Sequence, residues 1–167
     1  FNEIRNLLRS DDRTVFISFV GVGGVGKTAL AIEVAHYYLE QHTTLPSADQ
    51  LAYVIWTSAK IEDYLPSGRT KRPERQSTLA SIVRTIGEVM DIGSIKTASE
   101  DKQISLAIEA MRTTPVLLVI DNFETIANNR AVIDFLVKLT RTKAKVIITC
   151  RIEEELRGIP TNPIYLD

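Results

Sequence analysis

Residues 21–28 read Gly21-Val22-Gly23-Gly24-Val25-Gly26-Lys27-Thr28, the pattern G-x-x-x-x-G-K-T. No other stretch restricts the fold so tightly. Small residues let a backbone wrap closely round an anion with its N–H groups turned inward. The pattern requires a buried strand before it and a helix after it. Thr14–Val20 is an apolar run fit for such a strand, and Ala29–Tyr38 continues as a helix pattern reaching about Gln41. A helix beginning near Lys27 adds the positive end of its dipole to the loop. The expectation is a phosphate cradle, with Gly21, Gly23, Gly24, Val25, Gly26, Lys27, Thr28 and Ala29 as the nucleotide-binding residues. Lys27 places a point charge between the β- and γ-phosphates, and the Thr28 hydroxyl takes one position on Mg²⁺.

A second signal lies far downstream. Pro115–Ile120 is strongly apolar and ends in Asp121. Ligands of parallel sheets bind beyond the carboxyl ends of the strands, and an acid there can hold the water shell of Mg²⁺ on the phosphates. Asn122-Phe123-Glu124 follows. Many P-loop ATPases carry a second, water-activating acid directly after the metal Asp, but Asn122 cannot take up a proton. Glu124 is the nearest carboxylate and reaches the attacking water if the strand ends at Asp121 and the chain turns. Its alternative is a local hydrogen bond or helix cap. Val146–Thr149 is a further strand, delivering Cys150 and Arg151 at its carboxyl end. Topology alone sets Arg151 beside the nucleotide, where it would stabilise and sense the γ-phosphate. The alternative is a surface pair with an acid of Glu153–Glu155. Lys27, Glu124 and Arg151 are thus the candidate catalytic residues, and Thr28 and Asp121 the metal residues. Cys150 reads as a buried small residue, since no base stands beside it.

The remaining chain supplies the frame. Phe1, Ile4, Leu7 and Leu8 have helical spacing, and this segment reads either as a lid on one edge of the sheet or as a contact with base or ribose. Leu51–Thr57 is a strand. Ser58–Glu74, with Pro66, Gly68 and Pro73, reads as a long loop or irregular insertion. Its Arg69, Lys71, Arg72 and Arg75 form a basic cluster, either solvated or facing an acidic partner. Helical stripes follow at Leu79–Met90, Ile104–Met111 and Ala131–Leu139, and Ile164-Tyr165-Leu166 opens the last core strand. His36 and His42 are isolated, without the neighbours of a metal site.

A net charge of -1 makes no electrostatic case for a nucleic-acid or membrane partner. The lone Cys150 rules out a disulfide framework or a cysteine-rich zinc site. No apolar run approaches the length of a membrane span and no leader is evident, so a cytoplasmic location is expected. The chain opens on Phe1 and stops at Asp167 after another apolar run, which suggests a piece of a longer protein.

Taken together, four stretches resemble the nucleotide-binding domain of STAND-class P-loop NTPases, of the NB-ARC type. GVGGVGKTALA at 21–31 resembles the family's phosphate loop and YVIWTSAK at 53–60 its second-strand motif. LLVIDNFE at 117–124 is similar to its Walker B motif, in the bacterial manner, and KVIITCR at 145–151 to its sensor strand. The resemblance covers nearly all of residues 1–167, one domain. It implies an α/β three-layer sandwich whose mainly parallel sheet has five strands in the AAA+-like order 5-1-4-3-2. It implies ADP in a resting state and ATP, with Mg²⁺, in an active state that self-associates. It places a winged-helix part after Asp167 and effector and repeat-sensor domains elsewhere in the same polypeptide. The family's second acid falls at Asn122, which puts rapid hydrolysis in doubt and leaves a second reading, a non-hydrolysing assembly module. GTP is disfavoured, because no Asn/Thr-Lys-x-Asp motif follows the sensor strand. Lys27→Ala is expected to weaken ATP binding about ten- to a hundredfold while the fold persists, the worth of a charge-assisted hydrogen bond. Isothermal titration with ATP and Mg²⁺ checks this, and unchanged affinity would remove Lys27 from the site.

Overall fold

The computed structural model describes residues 1–9, 12–59, 62–65, 68–71 and 79–167. Five strands form one sheet: β1 (Phe16–Val20), β2 (Tyr53–Ser58), β5 (Val116–Asp121), β6 (Ala144–Cys150) and β7 (Thr161–Tyr165). Their order is β2-β5-β6-β1-β7, and every pairing is parallel. Counting only these strands along the chain, the order is the expected 5-1-4-3-2.

Strand parity explains the layers. Successive side chains of a strand point to opposite faces. On one face lie Phe16, Val20, Val116, Leu118, Ile120, Val146 and Ile148, covered by α3 (Leu79–Val89), α4 (Glu100–Thr113) and α5 (Arg130–Leu139). On the other lie Ile17, Phe19, Leu117, Val119 and Ile147, covered by α1 (Asn2–Leu8) and α2 (Lys27–Glu40). Strands buried on both faces are largely apolar, which is why β5 and β6 read as near-continuous runs rather than alternating ones, with Asp121, Lys145 and Thr149 as their buried polar residues. Pro163 is tolerated because β7 is an edge strand.

The leading helix packs on the same side of the sheet as α2. Ile4 and Leu8 are buried on the α2 face of the sheet. The Phe1 ring meets the edge of Tyr37 at 5.4 Å between centroids, and the Arg5 guanidinium stands 4.7 Å over the same ring. Tyr37 lies ten residues into α2 from Lys27, about 15 Å along the axis at 1.5 Å per residue. The buried Lys145 ammonium donates to the carbonyls of Leu7, Asp12 and Thr14 at 3.2, 2.8 and 2.6 Å. These bonds tie the segment to the amino end of β6.

The insertion read as irregular contains regular structure. β3 (Glu62–Leu65) and β4 (Gly68–Lys71) pair antiparallel in a sheet of their own, Leu65 opposite Gly68. Gly68, a loop signal in the sequence, opens β4, and Pro66 lies outside the described residues. Of the basic cluster, Arg69 and Lys71 are placed by their backbone in β4, whereas Arg72 and Arg75 lie outside the described residues. Leu118 is wholly buried at the middle of β5. Leu118→Ala is expected to cost about 2–5 kcal/mol of stability, read as a lowered midpoint in urea with an unchanged slope.

Candidate functional site

The loop 21–26 links β1 to α2 at the carboxyl end of the sheet. Gly24 and Gly26 adopt φ of 89° and 96°, a left-handed region costly for any residue with a Cβ. Gly21 is constrained differently: a Cβ there would overlap the carbonyl oxygen of Leu166, just past β7. No side chain caps the amino end of α2 and its first turn holds no acid, so its leading N–H groups are left for an external acceptor. The Lys27 ammonium lies across the loop, donating to the carbonyls of Gly21 at 2.6 Å and Val22 at 2.9 Å.

Asp121 ends β5 and is only 5% exposed. Three donors converge on its carboxylate. Thr28 Oγ1 donates to Oδ1 at 2.8 Å and Thr149 Oγ1 to the same oxygen at 2.6 Å, while Asn122 Nδ2 donates to Oδ2 at 2.8 Å. A carboxylate offers about four lone-pair positions, so one remains, on Oδ2. The Thr28 proton is committed to Asp121, which turns the lone pairs of its oxygen outward. Among the described residues no group of three or more His, Cys, Asp or Glu could hold a metal by itself. The donor set instead suits Mg²⁺, a hard cation that keeps several waters and binds through one or two protein oxygens together with phosphates. Thr28 and Asp121 would hold it.

The chain after Asp121 turns as the role of Glu124 required. Asn122 takes φ 59° and ψ 48°, a left-handed position where Asn is among the better tolerated residues. Its N–H donates to Thr149 Oγ1 at 2.9 Å. A short 3-10 turn, Phe123–Thr125, follows, with Phe123 fully buried as packing. Thr125 Oγ1 lies within hydrogen-bond reach of the carbonyls of both Asn122 and Ala59 and shares its one proton between them, securing the turn against the end of β2. Glu124 is thereby brought beside Arg151, whose Nε donates to its Oε1 at 3.0 Å, and the second oxygen of Glu124 is buried without a partner. The surface pair with Glu153–Glu155 takes another form. Glu155 accepts from the backbone N–H of Arg151 at 3.1 Å, while the guanidinium turns to Glu124. Cys150 is fully buried, and burial first, then Glu155 and Glu124, pushes its thiol up to about 12. A thiol in that range is not a nucleophile near neutral pH.

Lys27, Thr28, Asp121, Glu124 and Arg151 therefore meet at one end of the sheet. Thr149 and the orienting part of Asn122 were not read from the sequence. The available signal was a lone hydroxyl in the apolar run Val146-Ile147-Ile148-Thr149-Cys150.

No protein-family profile and no curated protein sequence matches the chain. Solved structures do share its fold. One is a chain of the Drosophila ORC complex bound to AT-rich DNA and Cdc6, with a TM-score of 0.63 and 13% identity over 98% of this chain and 51% of that one. A STAND protein with a tetratricopeptide repeat sensor from Pyrococcus horikoshii gives 0.58 and 18% over 99% of this chain and 22% of its own. Cdc6p from Pyrobaculum aerophilum gives 0.52 and 16% over 93% and 38%. The fold is that of AAA+ P-loop ATPases, and the chain spans about half or less of each of these proteins. Asp121→Asn is expected to weaken nucleotide binding more with Mg²⁺ than without it, and to lower stability by about 1–3 kcal/mol, because an amide N–H₂ would face one of the converging donors. Titration of ADP with and without metal, beside a thermal melt, checks both. Equal losses in the two titrations would contradict the metal assignment.

Proposed function

We propose that this chain is the nucleotide-binding domain of a STAND-class switch of the NB-ARC type, binding ADP or ATP with Mg²⁺ and hydrolysing ATP slowly. The observation that carries this reading is the hydrogen bond from Thr28 to Asp121, which joins two motifs 93 residues apart. The loop amides of residues 21–29 bind the phosphates, and Lys27 exchanges loop carbonyls for phosphate oxygens. Bound Mg²⁺ would neutralise charge on the β- and γ-phosphates. Arg151 reaches the γ-phosphate from the end of β6, and Glu124 orients the attacking water and accepts its proton.

Slow turnover is supported by what surrounds Glu124. Asn122, at the position where a second acid is common, is a hydrogen-bond donor to Asp121 and not a base. Glu124 itself is paired with Arg151 through one oxygen, and its other oxygen is buried away from bulk water. The same two contacts favour a second reading, a module whose output is assembly without turnover. In either case self-association in the ATP state belongs to the longer protein. By analogy with the STAND protein of Pyrococcus horikoshii that protein would add a repeat sensor, and the resemblance to the NB-ARC type implies an effector domain and, after Asp167, a winged-helix part. Among the described residues no helix is long and apolar enough to cross a membrane. A cytoplasmic setting, where the nucleotide is supplied, fits the proposed role.

Single-turnover hydrolysis separates the two readings. The wild-type domain is expected to bind ATP and turn it over well below about 1 s⁻¹, the low end for metabolic enzymes. Glu124→Gln keeps the shape and removes the base, so it should lower the rate by about 10²–10⁴-fold with nucleotide affinity retained. A mutant at the wild-type rate makes Glu124 structural. Binding with no turnover in either protein establishes the assembly module, and several turnovers per second in the wild type would end the slow-switch reading.

A further inference from the structure

Thr149 commits its hydroxyl both as donor and as acceptor. It is 1% exposed, on a strand otherwise apolar from Val146 to Cys150. Its single proton goes to Asp121 Oδ1 at 2.6 Å, and its oxygen accepts the N–H of Asn122 at 2.9 Å. Both partners belong to the chain leaving β5, one strand away in the sheet. The first bond settles how the Asp121 carboxylate is rotated. Thr149 and Thr28 share Oδ1, and Asn122 holds Oδ2, so one lone pair of known direction is left for a cation or its water. The second bond satisfies the backbone N–H of Asn122 at φ 59°, the point where the chain swings Glu124 toward Arg151.

We propose that Thr149 is the positioning residue of this site: its hydroxyl sets the Asp121 carboxylate for Mg²⁺ and latches the left-handed turn at Asn122. The proposal rests on the nucleotide-binding reading above and adds the device that orients its metal acid. Thr149 touches neither nucleotide nor metal in this role. It acts through Asp121, as outer partners of metal-binding carboxylates do, whose removal typically costs 10–100-fold in metal affinity. Valine has nearly the shape of threonine without the hydroxyl, and serine has the hydroxyl without the methyl group. The pair therefore separates hydrogen bonding from packing.

The experiment measures ADP affinity by titration with Mg²⁺ and with a chelator, for wild type, Thr149→Val and Thr149→Ser, together with amide hydrogen exchange at Asn122. Wild type is expected to bind more tightly with Mg²⁺. In Thr149→Val that gain should shrink by about tenfold or more, with metal-free affinity unchanged, and the Asn122 amide should exchange faster because its acceptor is gone. Thr149→Ser should restore both. Should Thr149→Val not fold, Thr149→Ala carries the same comparison. A wild-type metal dependence in the valine variant overturns the proposal. So does an equal loss with and without metal that serine fails to rescue, the mark of a packing role. Absence of any ADP or ATP affinity in the wild type would sink the nucleotide reading and this proposal with it. That result is distinct from the first two, in which wild type binds.

Discussion

The structure depends on three strands lying side by side in fixed parallel register. β6 sits between β1 and β5, pairing Val20 with Cys150 and Ile120 with Ile148. Neighbouring strands are about 4.8 Å apart, so the three carboxyl ends form one short row. The glycine loop leaves β1, Asp121 closes β5, and Arg151 follows β6. A slip of one residue between β5 and β6 would invert every side chain of one strand, carrying either Leu118 or Ile148 out of its layer. Burial of both faces therefore fixes the register, and the register fixes which polar groups meet. The geometry of the site is a consequence of the packing of the core.

At the end of that row, polar groups taken from water are matched to one another. Asp121 is nearly inaccessible yet accepts three hydrogen bonds. Such charge-assisted bonds offset the cost of burying a carboxylate. Glu124 is less completely matched, with one oxygen on Arg151 and the other unpartnered. The contrast separates the roles. Asp121 is built to stay as it is, whereas Glu124 and Arg151 hold each other through one bond that a competing anion or water can replace. Only Nε of the Arg151 guanidinium is engaged by Glu124, so its other N–H groups remain for further acceptors.

Local signals settled a great deal. G-x-x-x-x-G-K-T demands a strand, a tight turn and a helix whatever the rest of the chain does, because Gly24 and Gly26 need positive φ and the helix must begin at Lys27. The continuous apolar runs of β5 and β6 announce strands covered on both faces, and hence a parallel sheet with its site beyond Asp121 and Cys150. The strand order came from the resemblance to a family and not from periodicity, which carries no information on which strands are neighbours. The pairing of Glu62–Leu65 with Gly68–Lys71 is not legible in the sequence, because Pro66 and Gly68 are signals common to loops and to the ends of short strands.

What the sequence by itself determined is therefore the inventory: the cradle, the acid at the end of β5, the arginine at the end of β6, and the absence of a second acid at Asn122. Each follows from residues close in the chain, where covalent geometry limits what can occur. Only the tertiary structure decided the partnerships, which form across sheet neighbours remote in sequence. Thr149 with Asp121 and Asn122, Arg151 with Glu124 rather than with Glu155, and Lys145 with the carbonyls behind α1 are all of this kind. A threonine in an apolar strand has the same local pattern whether its hydroxyl is buried idle or holds an acid in place. Strand register, set by burial on two faces, is what distinguishes the two.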